Sequence, residues 1–284
     1  MSPLSRRRFI AGALAAPAGF ALLGNGGGDG SFSWTGEATQ GGWLRGQAPS
    51  GTIALALDGA AVPLAADANF FVAFDRDAAP GHQLVATLAD GEATAVLPIV
   101  VLPRAWQIER VNTPMRPGKL PSEEYQRIRA GELAQIKAAR EMDTGAQGWR
   151  QRFIAPASGR FSGRFGSQRI YQGQPGAYHS GLDIAGGAGA AIVAPADGTV
   201  ILAAQNPFTL EGNLLMLDHG MGLNSAFLHC SAILVKEGDR VVQGQQIGRI
   251  GATGRATGPH LHWSIKWRDA RLDPLLMLAP VRAN

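Results

Sequence analysis

From about residue 150 onward the chain is cut into short apolar runs by glycine-rich turns, and this punctuation limits the fold more than any other feature. "GTVILAA", "NLLMLDHG", "NSAFLHC" and "HLHWSIKW" have the length of strands rather than of helices. Asp218-His219-Gly220 and Glu237-Gly238-Asp239 carry turn signals between them. Residues 31–103 follow the same style. "TIALALD" closes at Asp58-Gly59, "FFVAF" covers residues 70–74, and "QLVATLADGEATAVLPIVVL" holds two runs joined at Asp90-Gly91, a hairpin signal. Strands at that spacing point to a small β-sandwich of immunoglobulin type. Within it His82, beside Pro80-Gly81, reads as a solvated loop residue, and Trp34, Trp43 and Trp106 read as packing.

Between the two β regions, "NTPMRPGKLP" (112–121) has the composition of a linker, and "SEEYQRIRAGELAQIKAARE" (122–141) reads as a helix. Ser122 can cap it, two glutamates favour its first turn, and Tyr125, Ile128 and Ile136 give partial apolar spacing. Its charges read as a solvated face. The organisation expected is therefore mainly β: a signal and spacer over 1–30, a small β-sandwich-like domain over 31–111, a linker with a helix over 112–148, and a C-terminal antiparallel β domain over 149–284.

The N-terminus, "SRRRFIAGALAAPAGFALL", places Arg6-Arg7 before a weakly apolar stretch too short for a comfortable membrane span. It resembles a twin-arginine export signal, followed by the spacer "GNGGGDG". The expectation is export to a periplasm, with the segment either cleaved or kept as a membrane anchor. The formal charge of +4 mostly belongs to this segment. With Arg6, Arg7 and Arg8 set aside, the basic and acidic residues nearly balance, which argues against a nucleic-acid partner. A single cysteine, Cys230, excludes an intrachain disulfide and reads as a buried small hydrophobe.

Five of the six histidines lie in the C-terminal half. In "GPHLHWS", strand alternation puts His260 and His262 on one face and Leu261 on the other. In "YHSGLDIAGG", His179 and Asp183 are four residues apart and share a face in strand or helix, with Gly181 leaving room between them. His179, Asp183 and one further histidine would make a three-ligand nitrogen and oxygen set that suits Zn²⁺ with an open fourth position. The alternative for the H-x-x-x-D pair is a core histidine satisfied by an acid.

The segment "GNLLMLDHGMGLNSAFLHCSAILVKEGDRVVQGQQIGRIGATGRATGPHLHWSI" (212–265), taken with the upstream H-x-x-x-D, resembles the lysostaphin-type (LytM-like) zinc metallopeptidases, which cut peptide bonds in bacterial peptidoglycan. The similarity runs from about Phe161 to Trp267. It implies that His179, Asp183 and His262 are metal ligands, that His260 lies beside the metal without binding it, and that His229 is the other catalytic histidine. Phe227, Ser225, Cys230 and Ser264 depart from the common pattern without removing any of these. Tyr171, Tyr178 and Arg169 lie near the expected cleft without an assigned role, and His219 reads as structural.

The chemistry is coherent by itself. Two neutral imidazoles and one carboxylate leave a zinc ion a useful Lewis acid. No H-E-x-x-H is present to supply a glutamate base, so His229 and His260 are the candidates for proton transfer. The function implied is a secreted zinc metalloendopeptidase acting on peptidoglycan cross-links or stem peptides. The competing class is a non-catalytic cell-wall-binding regulator of amidases, which the complete ligand set disfavours.

Overall fold

The computed structural model describes residues 31–278 apart from 90, 92, 93, 115–121 and 205. The segment read as an export signal, Asp90 and most of the segment read as a linker lie outside the described residues. The first unit is two antiparallel sheets. Ser33–Glu37, Trp43–Gln47 and Asn69–Ala73 form one; Thr52–Leu57, Ala60–Val62, Gly81–Leu88 and Thr94–Val100 form the other. Its core comes from the alternate apolar positions that the sequence pattern marks, such as Leu44, Phe70, Val72, Leu84 and Ala86. Trp43 stacks on Phe71 at 5.8 Å, and Trp106 meets Phe165 edge-on at 5.7 Å, so both pack as expected. Trp34 also packs against the core. His82 does not behave as a solvated loop residue. It lies in the strand Gly81–Leu88, its Nδ1 sits 2.6 Å from Asp58 Oδ2, and its ring packs on Phe74.

The helix α1 spans Glu123–Arg140, with Ser122 Oγ accepting from the Tyr125 amide. Its charges are not simply a solvated face. Glu132 is buried, accepting from the Thr209 amide and hydroxyl. Arg129 grips Glu211 through two bonds of 2.6 and 2.7 Å.

The C-terminal unit is built on an eight-stranded antiparallel sheet: β1 (Arg160–Gly163), β2 (Leu182–Ala185), β3 (Gly198–Ala203), β4 (Asn213–Gly220), β5 (Leu223–Cys230), β6 (Arg240–Val241), β7 (Leu261–Trp267) and β8 (Ala270–Leu272). The spatial order is β6-β3-β4-β5-β7-β2-β1, with β8 paired to the end of β7. Asp218-His219-Gly220 is the end of β4 rather than a turn; the chain reverses at Met221 and Gly222, both with positive φ.

One cluster of buried side chains runs through both units. Polar bonds join them as well: Trp43 Nε1 donates to the Leu276 carbonyl at 3.0 Å, and Arg104 pairs with the buried Asp273 at 2.8 Å. The segment Ile108–Val111 pairs in parallel with Gln168–Tyr171. The first unit thus rests on the sheet that carries the histidines.

Candidate metal centre

The register of the sheet brings the site together. Leu228 of β5, His262 of β7, Asp183 of β2 and Gly163 of β1 form one cross-strand row. Directly opposed residues share a face, so His262 and Asp183 are neighbours by pairing alone. Gly163 keeps the row open: a Cβ there would lie 2.3 Å from Asp183 Oδ2. His179 arrives by a different route from the one its spacing suggests. It lies in the loop before β2, outside the strand, and the turn through Gly181 folds it back over Asp183. A Cβ on Gly181 would lie 2.7 Å from His262 Nε2, so the glycine does provide the room expected of it.

The three donor atoms converge. Asp183 Oδ1 is 3.0 Å from His179 Nε2 and 2.8 Å from His262 Nδ1, and the two imidazole nitrogens are 3.2 Å apart. A tetrahedral zinc with ligand bonds of about 2.0–2.1 Å places its donors about 3.3 Å from one another, so the triangle fits this ion with little adjustment. The His179 ring supplies a second test. Its Nδ1 faces the Arg164 carbonyl at 3.2 Å, where only a donor is useful. That leaves a bare Nε2 in the neutral ring, aimed at a carboxylate oxygen: two acceptors in contact, which need a proton or a metal cation between them. In the metal-free protein a proton serves. Burial would depress the His179 pKa, but hydrogen bonding and attraction to Asp183 outweigh it and raise it. Burial would raise the Asp183 pKa, but the two histidines hold it well below the usual carboxylate range. His262 is pushed down by burial, only partly offset by Asp183.

His229 and His260 flank this group. Their ring centroids are 5.0 Å apart, His260 Nε2 lies 3.8 Å from Asp183 Oδ1, and the His229 ring is 6.3 Å from that of His262. Each is anchored the same way: Nδ1 lies 2.8 Å from a main-chain carbonyl, Thr253 for His229 and Gly258 for His260. Donation from Nδ1 fixes the tautomer and leaves Nε2 free for proton exchange. Burial lowers the His229 pKa and favours its neutral form. Strict alternation would give the cleft face of β5 to Leu228, the partner of His262, and would turn His229 inward. A left-handed backbone at His229, φ 63°, breaks the alternation, and both residues line the cleft.

The cleft has a volume of about 640 Å³ and is lined by His179, Asp183, His229, His260 and His262, together with Arg255 among others. Tyr171, Tyr178 and Arg169 do not line it; Arg169 pairs with Glu109 at the surface. His219 is fully buried behind the sheet, between the Asp197 carbonyl and Ser225 Oγ, as a structural residue should be. Cys230 is fully buried, and burial pushes its thiol up to about 12. The only group of three or more acidic, histidine or cysteine side chains among the described residues with converging ligand atoms is His179, Asp183 and His262.

Residues 177–274 match the model of peptidase family M23. The match contains all five site residues. The peptidoglycan DD-endopeptidase ShyA of Vibrio cholerae is 37% identical over 135 residues, 47% of this chain and 31% of that protein. The murein hydrolase activator NlpD of Escherichia coli is 38% identical over 100 residues, 35% of this chain and 26% of that protein. The chain thus spans less than a third of the length of these relatives. A Pseudomonas aeruginosa crystal structure assigned to peptidase M23 superposes with a TM-score of 0.63 at 28% identity, covering 85% of this chain and 94% of that one. Its likeness extends well beyond the M23 segment into the first β unit.

Proposed function

We propose that this chain is an exported zinc metalloendopeptidase that hydrolyses peptide bonds in peptidoglycan. The observation that carries this is the convergence of His179, Asp183 and His262 with two non-ligand histidines whose Nε2 atoms are left free. Likeness to ShyA supports the substrate class, and the arginine pair Arg6-Arg7 supports export. A zinc ion held by the three ligands supplies a Lewis acid that acidifies water and polarises a carbonyl. His229 and His260 then do the proton work: one accepts a proton from the attacking water, and one donates to the developing oxyanion or the leaving amine. Arg164, through its carbonyl, holds the His179 ring in its ligating tautomer.

The likeness to NlpD keeps a second class in view, an activator acting by contact. The convergent ligand triangle with two anchored histidines beside it favours the peptidase over such an activator. Digestion of purified peptidoglycan, with products identified by mass, separates the two. Wild-type protein is expected to release peptide fragments, to stop on chelation and to recover with zinc. His262→Ala should lose metal and activity together. His229→Ala and His260→Ala should keep about one zinc per chain and lose roughly 10²–10⁴-fold in kcat. Undiminished digestion by His262→Ala, or by the chelated protein, would overturn the assignment.

A further inference from the structure

Beside the metal-side cleft lies a second and larger groove, of about 850 Å³, between α1 and the open face of β4, β5 and β7. Ser180, Leu228 and His262 line both, so the two spaces are continuous. The floor near the histidines is apolar, from Leu214, Met216, Ala226 and Leu228. Its far end is cationic, and the sheet register explains why. His262, Ser264 and Lys266 alternate along the cleft face of β7. Lys266 pairs across to Asn224 of β5 on one side and to Arg271 of β8 on the other. Arg140, from the last turn of α1, reaches down to this row and donates to Asn224 Oδ1 at 2.5 Å.

Three cations therefore meet at one end of the groove with little to neutralise them. Arg271 donates to the Tyr178 hydroxyl, a neutral partner. Lys266 has only a loose contact, 3.9 Å, with the exposed Asp269. The other acids nearby are engaged elsewhere: Glu211 with Arg129, Glu141 with Lys137, Asp143 with the Gly145 amide, and Asp218 with Thr144 and the Gly220 amide. Asp75 accepts from the Arg271 amide and offsets part of the charge of Arg271 and Lys266; Arg271 itself is raised, first by its bond to the Tyr178 hydroxyl. Burial pushes the Arg140 and Lys266 pKa values down; Arg271 adds to the push on Arg140, and Arg140 to that on Lys266. Like charges crowded in a half-buried groove are costly unless an anion joins them.

We propose that Arg140, Lys266 and Arg271 form a carboxylate-binding subsite for the peptide substrate, at the end of the groove away from the metal centre. This rests on the peptidase reading above. Lys266 lies four residues along β7 from His262, about 13 Å at a strand's rise. A short extended peptide whose scissile carbonyl faces the histidines reaches the cluster with a carboxylate roughly four residues away. The subsite selects peptides bearing a free acid at that distance over neutral ones.

The test uses the full-length zinc-loaded protein and a fluorescein-labelled synthetic cross-linked stem peptide, once with free carboxylates and once with all of them amidated. Binding is read by anisotropy, and hydrolysis is recorded on the same samples by mass. The acid peptide is expected to bind roughly 10–100-fold more tightly, the scale of one or two charge-assisted bonds. That preference should fade with added salt in the wild type, a readout that needs no variant. It should vanish in Lys266→Gln/Arg271→Gln, both half-exposed or exposed positions, while binding of the amidated peptide is unchanged. Equal binding of the two peptides, no binding of either, or a preference that survives in the double variant overturns the subsite. Acid-selective binding without any hydrolysis overturns the peptidase reading and leaves the subsite standing. Hydrolysis with no acid preference does the reverse.

Discussion

His219 should make the protein sensitive to mild acid, by an amount the structure sets. The ring is fully buried, with Nδ1 2.8 Å from the Asp197 carbonyl and Nε2 2.8 Å from Ser225 Oγ. Burial lowers its pKa to about 4, with the Asp197 carbonyl bond and the charges of Asp218 and Asp197 offsetting only part of the cost. An unfolded histidine titrates near ~6.5. The unfolded chain therefore takes up this proton first as the pH falls. The stability linked to the neutral ring is complete above pH ~6.5 and is lost progressively down to about 4. Between pH 7 and 4.5 the linkage amounts to about 2 kcal/mol. Other histidines also shift on folding, His179 upward and His262 downward, so the wild type alone does not isolate the effect. His219→Gln does: it cannot titrate, and every other group is common to both proteins. The variant should be less stable at pH 7, and the gap to wild type should narrow by about 2 kcal/mol at pH 4.5, measured by urea unfolding followed by circular dichroism at fixed metal content. A gap that stays constant across this range would refute the argument.

Two further outcomes follow from single positions. Gly163→Ala puts a methyl against Asp183 Oδ2, so zinc affinity should fall by about 10-fold or more in competition with a chelator, while the metal-free protein melts nearly as before; unchanged affinity would mean the row has slack that the geometry does not show. Replacing Arg6 and Arg7 by lysines preserves charge and should leave the protein inside the cell on fractionation, whereas normal export would exclude a twin-arginine signal.

The strands were legible because both units are antiparallel and punctuated by glycine. The runs "GTVILAA", "NLLMLDHG", "NSAFLHC" and "HLHWSIKW" became β3, β4, β5 and β7 within a residue or two. The pairing of His260 with His262 on one face followed from alternation, which is a local property. His179 and His229 were legible as residues but not as geometry. The first reaches the site through a loop, and the second through a left-handed backbone that period-two reasoning does not produce. The cationic row was missed although half of its signal was present: Lys266 continues the alternation from His262. The other half, pairing with Arg271 and descent of Arg140 from α1, is a matter of tertiary register. His82 misled because a Pro-Gly pair beside it signals a loop, whereas its real environment is set by Asp58, 24 residues away.

The helix explains why residues outside the peptidase family's stretch belong to the working protein. By sequence α1 is polar and only weakly amphipathic, a poor candidate for firm docking. In the structure its hold is electrostatic as much as apolar. Arg129 clamps the Glu211 carboxylate, Glu132 caps the backbone at Thr209, and Ile136 packs against a small apolar cluster under the helix. Glu211 is also the residue whose carbonyl accepts the His229 amide at 2.8 Å. A left-handed histidine is held at a cost of order 1–3 kcal/mol and persists only where its surroundings fix it. The His229 amide on Glu211 and its ring on Thr253 provide that fixing, and Arg129 secures Glu211 from the other side. The helix thus does two things at once. It forms one wall of the larger groove, and through Arg129 it braces the loop whose Glu211 carbonyl holds the backbone of His229 in β5.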